Sequence, residues 1–167
     1  AGIYGPIGPI WKNDLAQWKK AVEINLFGTV HCTQAVVPHM IRAHKGKIIN
    51  IAGGGEGAFP RFSAYACSKS AIVRLTETLA DELKEYNIQV NAIAPGGVNT
   101  RLLDQVIAAG QEAGIHYEKA KKQKASGGVP PERAAELAVF LASDASKGLT
   151  GRLLSAVWDD WNNLDIE

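Results

Sequence analysis

Two short apolar runs, each stopped by glycine, constrain this chain more than any other feature in it. Gly46-Lys47-Ile48-Ile49-Asn50-Ile51-Ala52 is rich in branched residues and gives way to the glycine cluster Gly53, Gly54, Gly55 and Gly57. Asn87-Ile88-Gln89-Val90-Asn91-Ala92-Ile93-Ala94 is the second run, and it breaks at Pro95-Gly96-Gly97. Near-continuous apolar segments of this length read as strands buried on both faces, as in a parallel sheet. A strongly helical stretch over residues 65–85 lies between them. Strand, loop, helix, strand is a crossover unit, and ligands of open parallel sheets bind beyond the carboxyl ends of the strands. Both glycine-rich loops and the start of the helix therefore converge on one rim.

The helix opens with Tyr65-Ala66-Cys67-Ser68-Lys69, which places a phenol and an ammonium four positions apart. At that spacing both lie on one helix face, roughly 6 Å apart along the axis. A lysine held there is expected to favour the phenolate and pull the tyrosine pKa below its usual value of about 10. Tyr65 would then give and take a proton near neutral pH. Chance pairs at this spacing occur in any helix, so the surrounding motifs decide.

Those motifs resemble the short-chain dehydrogenase/reductase family over almost the whole chain. Asn50-Ile51-Ala52 sits where the family has its N-[IV]-S-S strand end, Tyr65 to Lys69 matches Y-x-x-x-K, and Pro95-Gly96-Gly97-Val98-Asn99-Thr100 matches P-G-x-[VI]-x-T. Asn25 matches the family's helix asparagine, and Ala1-Gly2 matches the end of N-N-A-G. Each motif is weak alone; five in the family's order and approximate spacing are specific. The implied fold is α/β, the C-terminal part of a Rossmann-type doubly wound parallel sheet. Residues 1–167 would form a single partial domain, with 100–128 a possible lid over substrate.

The resemblance also implies roles, residue by residue. Tyr65 would be the general acid in reduction and the general base in oxidation. Lys69 would lower its pKa and bind the nicotinamide ribose, while Asn25 would help hold a water that relays protons towards Lys69. Asn50, Ile51, Pro95, Gly96, Val98 and Thr100 would line the nicotinamide half of an NAD or NADP site, and Gly2 would pass near a sugar of the cofactor. The implied activity is hydride transfer between nicotinamide and a small carbonyl or alcohol compound, in a homo-oligomer, a dimer or tetramer, built on the helices at 15–43 and 65–85.

Two departures from the family pattern bear on that activity. The phosphate-cradling T-G-x-x-x-G-x-G loop would precede Ala1, and the chain opens without Met, so a longer parent protein is expected. The 167 residues alone should bind dinucleotide weakly, because backbone amides at a helix terminus hold the pyrophosphate. The strand at 47–52 would lack its neighbour and present a free edge. Second, counting back thirteen residues from Tyr65 to the family's catalytic serine gives Ala52, with Gly53 beside it, and neither side chain can donate a hydrogen bond. Ser63 reads as a helix cap or pocket-lining residue rather than a substitute. Losing one such donor typically costs around 10² to 10³ in rate. Ala52 therefore favours an alternative, a ligand- or partner-binding protein of the same fold without redox turnover. A sugar epimerase or dehydratase using the same Tyr/Lys pair fits the Pro95 to Thr100 motif less well.

Composition removes other classes. A net charge of +1 gives no electrostatic footprint for nucleic acid or acidic lipid, and no segment is long and apolar enough to span a membrane. His31, His39, His44 and His116 form no metal array with the two cysteines. Cys32 and Cys67 read as packed free thiols, which suits a reducing cytoplasm.

Outside the motifs, Asn13-Asp14 should cap a long helix over 15–43, disturbed near Pro38. The stretch 100–124 is helical but interrupted at Gly110 and Gly114, and its Leu102, Leu103, Val106 and Ile107 could meet substrate or core. A helix at 131–142 leads to a last strand near 152–157. Trp158-Asp159-Asp160-Trp161 could stack on a flat ligand, or pack against a partner or the core.

Overall fold

The computed structural model describes residues 2–53 and 57–164. Ala1 and, from the glycine cluster, Gly54 and Gly55 lie outside the described residues. Three parallel strands form the sheet in the order β1 (Gly46–Ile51), β2 (Ile88–Ala94), β3 (Leu153–Ser155). Gly46 lies opposite Ile88 and Ile51 opposite Ile93, while Ala92 pairs with Leu153. Among the described residues β1 is an edge strand, as expected.

Alternation along the strands explains why both runs are almost wholly apolar. Ile88 and Val90 face one side, packing with Ala80 and Leu83 and with Val37, Met40 and Ile41. These belong to α2 (Gly28–Ala43) and α3 (Ser63–Leu83). Ile93 and Leu154 face the other side, against Leu137 and Leu141 of α6 (Pro131–Ala142), with Ile49 partly buried beside them. The two polar residues inside β2 have local work. Asn91 donates to the Leu149 carbonyl at 2.8 Å and accepts from the Arg152 amide at 3.1 Å, while Gln89 donates to Ser146 and Leu149 carbonyls at 2.8 and 3.0 Å. They fix the chain that enters β3.

The long N-terminal helix is interrupted, but not at Pro38. Asp14 caps α1 (Leu15–Val22), accepting from the Gln17 amide at 2.8 Å. A single π turn spans Glu23–Phe27, and α2 then runs straight through Pro38. The irregular turn contains Asn25, whose side-chain amide bonds the Ile3 backbone. Ser63 does not cap α3 either. Phe62 occupies the cap position, and the Ser63 hydroxyl accepts from Trp18 Nε1 at 3.0 Å.

One other expectation is corrected, and one open alternative is decided. Cys32 and Cys67 are exposed rather than packed, because they sit on the outward faces of α2 and α3. Trp158 and Trp161 do not share a ligand face. Trp158 is exposed, whereas Trp161 is buried against Phe140, with ring centroids 5.8 Å apart. The Asp159 carboxylate accepts from the Ser155 amide at 2.7 Å and closes the turn between them.

After β2, α4 (Arg101–Ala109), a 3-10 turn (Gly110–Ala113) and α5 (Ile115–Ser126) follow the glycine breaks read in the sequence. Thr100 caps α4, accepting from the Leu102 amide at 3.3 Å. Leu103 and Val106 are buried against Phe62 and Tyr65, so the apolar face of α4 meets the core and the tyrosine together. An ion pair from Lys124 to Asp104 ties α5 back to α4.

Candidate active site

The first turns of α3 bring Tyr65 and Lys69 to the carboxyl ends of β1 and β2, where they keep only 9% and 7% of their surface exposed. Lys69 Nζ donates to the Ile51 carbonyl at 2.8 Å and stands 5.8 Å from the centre of the Tyr65 ring. This arrangement reverses the expected electrostatics. The Tyr65 phenol is pushed up to about 12, first by burial and then by the nearby Tyr4, and burial also lowers the Lys69 amine. Burial of the phenol, with Tyr4 beside it, outweighs any help from the ammonium, whose Nζ is directed at a strand carbonyl.

Asn25 is 2% exposed and joins three segments. Its Oδ1 accepts from the Ile3 amide at 2.9 Å, while its Nδ2 donates to the Ile3 carbonyl at 2.8 Å and to Ser68 Oγ at 2.9 Å. Ser68 in turn donates to the Tyr65 carbonyl at 2.8 Å. Gly2 lies just before this clamp, and a Cβ there would sit 3.6 Å from Asn25 Oδ1. Thus Asn25 is brought close to the Tyr/Lys pair, by way of Ser68.

The position facing the phenol is Gly53, not Ala52. The Ala52 amide still donates to the Ile93 carbonyl at 2.9 Å, extending the ladder, and its side chain is buried. The next residue is the first to turn towards α3, and a Cβ on Gly53 would lie 3.0 Å from the Tyr65 hydroxyl. Gly53 has φ +144°, a conformation that suits glycine. Ala52, Gly53, Lys69, Ser70, Val73, Ala94 and Leu153 line a cavity of about 60 Å³ at this rim.

The other rim residues divide between site and scaffold. Ile51 is half exposed and offers its carbonyl to Lys69, but the Asn50 side chain turns inward and donates to Thr76 Oγ1 at 2.9 Å. At Pro95-Gly96 the chain turns with Gly96 at φ +84°, where a Cβ would be 2.6 Å from Val157. The Val98 amide donates to the Gly96 carbonyl at 3.0 Å, and the Val129 amide to Gly97 at 2.9 Å, so this loop is held to the segment after α5. Thr100 is occupied as the cap of α4.

An aromatic shell that sequence reasoning missed surrounds the phenol. Tyr4 meets the Tyr65 ring edge to face at 4.7 Å and Phe62 at 4.9 Å; Phe59 lies 4.6 Å from Phe62. His116 of α5 packs edge-on against Phe59 at 4.5 Å and Phe62 at 5.3 Å. Its Nε2 is buried without a hydrogen-bond partner among the described residues, and burial holds its pKa below the usual histidine value. The only sequence signal was the concentration of aromatics at positions 4, 59 and 62 beside the two glycine motifs.

The sequence profile of the short chain dehydrogenase family matches residues 1–111. This chain belongs to the short-chain dehydrogenase family. It is 34% identical over 157 residues to cis-4-hydroxycyclohexanecarboxylate dehydrogenase of Sinomonas cyclohexanicum, an alignment covering 93% of this chain and 61% of that protein. It is 33% identical to 3-oxoacyl-(acyl-carrier-protein) reductase of Thermotoga maritima, over 82% of this chain and 54% of that one. Among solved structures it is similar to an NAD+-bound xylitol dehydrogenase, with TM-score 0.82, 32% identity, and coverage of 93% of this chain and 64% of that one. It is likewise similar to gluconate 5-dehydrogenase from Burkholderia cenocepacia in complex with NADP and tartrate, with TM-score 0.79, 31% identity, and 93% and 60% coverage. The chain thus spans about 54–61% of the length of these curated relatives. The sheet and its helices are the α/β, Rossmann-type fold of these structures.

Proposed function

We propose that the protein is an NAD(P)-dependent oxidoreductase that interconverts a small carbonyl compound and its alcohol, with Tyr65 as the proton-transferring group. The observation that carries this reading is the buried Tyr65/Lys69 pair on one face of α3, beside a cavity at the carboxyl ends of β1 and β2. The donor set fits the nicotinamide end of a dinucleotide. Lys69 uses one N–H on Ile51 and retains two for ribose hydroxyls, and Gly53 leaves room against the phenol. Ala94, just before the Pro95-Gly96 turn, lines the same cavity, and Ile51 offers its carbonyl to Lys69. When bound, the cofactor supplies or accepts the hydride at the substrate carbon. Tyr65, with its pKa pushed up to about 12, holds its proton at neutral pH and is set to donate it to a carbonyl oxygen. The cavity is lined largely by Ala52, Gly53, Val73, Ala94 and Leu153, which suits a small substrate with an apolar skeleton.

Residues 100–128 act as the lid of one domain, since α4 packs directly on Tyr65. No helix of the described residues is long and apolar enough to cross a membrane. We read the setting as cytoplasmic and the protein as a homo-oligomer. A second reading, ligand binding without turnover, is favoured by the lack of a hydroxyl side chain at both Ala52 and Gly53. Following NAD(P)H absorbance over a ketone panel separates the two. Tyr65→Phe should cut turnover by about 10² to 10⁴ while leaving the fold intact. Binding of both ketone and NAD(P)H with no turnover in the unaltered protein would establish the second reading instead.

A further inference from the structure

We propose that Tyr4 supplies the second hydroxyl to the substrate carbonyl oxygen, in place of the side chain that Gly53 lacks. This inference rests on the oxidoreductase reading. Carbonyl reduction at Tyr65 benefits from another donor at the developing oxyanion, and the position facing the phenol carries only hydrogen. Of the neighbouring hydroxyls, Ser68 is fully buried and already donates to the Tyr65 carbonyl, and Ser63 is held against Trp18 Nε1 of α1. Tyr117 lies under the Lys121 ammonium, 5.1 Å from its ring centre. Tyr4 is the phenol in direct ring contact with Tyr65, at 4.7 Å and 67°. Among the described residues its hydroxyl makes no hydrogen bond, and the tyrosine is only partly buried.

Tyr4 is also held in place from both sides. Ile3 is clamped through its amide and its carbonyl by Asn25. Gly5, at φ +71°, lies so close to α1 that a Cβ would come within 2.7 Å of the Ala21 methyl. A short segment fixed at both neighbours is the preorganised donor such a site requires. The two phenols also sense one another, since Tyr4 adds to the upward shift at Tyr65.

The test uses the full chain in three forms: unaltered, Tyr4→Phe and Tyr65→Phe. Tyr4→Phe removes one oxygen that has no hydrogen-bond partner among the described residues, so folding should be unaffected and kcat for ketone reduction should fall about 10²-fold with the KM for NAD(P)H unchanged. Turnover within about threefold of the unaltered protein would overturn the proposal. A second readout needs no turnover: fluorotyrosine placed at position 4 should show a fluorine NMR shift on adding cyclohexanone, and an unmoved resonance at saturation would also overturn it. If Tyr65→Phe keeps full turnover, the oxidoreductase reading itself fails. If Tyr65→Phe is inactive and Tyr4→Phe is not, only the role of Tyr4 fails.

Discussion

Replacing Asn25 with alanine tests whether one amide holds the N-terminal segment to the helix that carries the Tyr/Lys pair. The substitution removes three hydrogen bonds of 2.8–2.9 Å, two to Ile3 and one to Ser68. At about 1 kcal/mol net for each, the loss is about 3 kcal/mol. For a chain of this size that corresponds to a fall in Tm of about 6–12 °C. Urea unfolding followed by tryptophan fluorescence reads the free energy directly, because Trp18 reports on the junction of α1 and α3 through its bond to Ser63. Asn25→Asp is the sharper variant. It keeps the acceptor for the Ile3 amide but places a carboxylate opposite the Ile3 carbonyl and Ser68, so it should be at least as destabilising. A loss below about 1 kcal/mol in Asn25→Ala would refute the argument, since it would mean that Ile3 is held by something else.

His116 should make stability sensitive to mild acid. Its folded pKa lies below 6.5 through burial and Lys119, so the unfolded chain binds the proton more readily, and stability present above 6.5 is lost as pH falls through the folded value. Thermal melts across that range should show a flatter pH dependence in His116→Phe; an unchanged slope would show that His116 is not the group responsible. The outward faces of α2 and α3 should form a contact between copies, since Thr33 is the only buried residue recorded in α2 and Phe27 and Val36 are exposed. Sedimentation over a range of concentrations checks this, and a species that stays monomeric throughout counts against it.

The elements that could be read from the sequence are those whose burial is decided locally. β1, β2 and α6 lie where the apolar runs and Pro131 place them, because strands covered on both faces need uninterrupted apolar residues and proline suits a first helical turn. The breaks at Gly110 and Gly114 were equally legible, since both adopt positive φ. What was hidden depends on distant partners. Asn25 could be read as a helix-bending asparagine bound to backbone, but its partner Ile3, 22 residues earlier, could not. Counting residues back from Tyr65 pointed to Ala52, and only the strand ladder shows that the chain turns one residue later. The sign of the Tyr65 shift was missed for a related reason. Spacing gives the proximity of Lys69, whereas the competing carbonyl of Ile51 and the surrounding aromatic shell appear only on folding.

Asn25 is buried inside the irregular turn, and an amide left without partners there would be costly. With the π turn in place, the same side chain grips Ile3, next to Tyr4, and Ser68, whose hydroxyl is bonded to the Tyr65 carbonyl. Both phenols are thereby referred to a single anchor. Their separation depends on that anchor rather than on the loop carrying Gly53, which contributes space and no side chain. Loosening Asn25 should for this reason reduce turnover more than removing the Tyr4 hydroxyl alone, because it disturbs the placement of both donors while Tyr4→Phe deletes one.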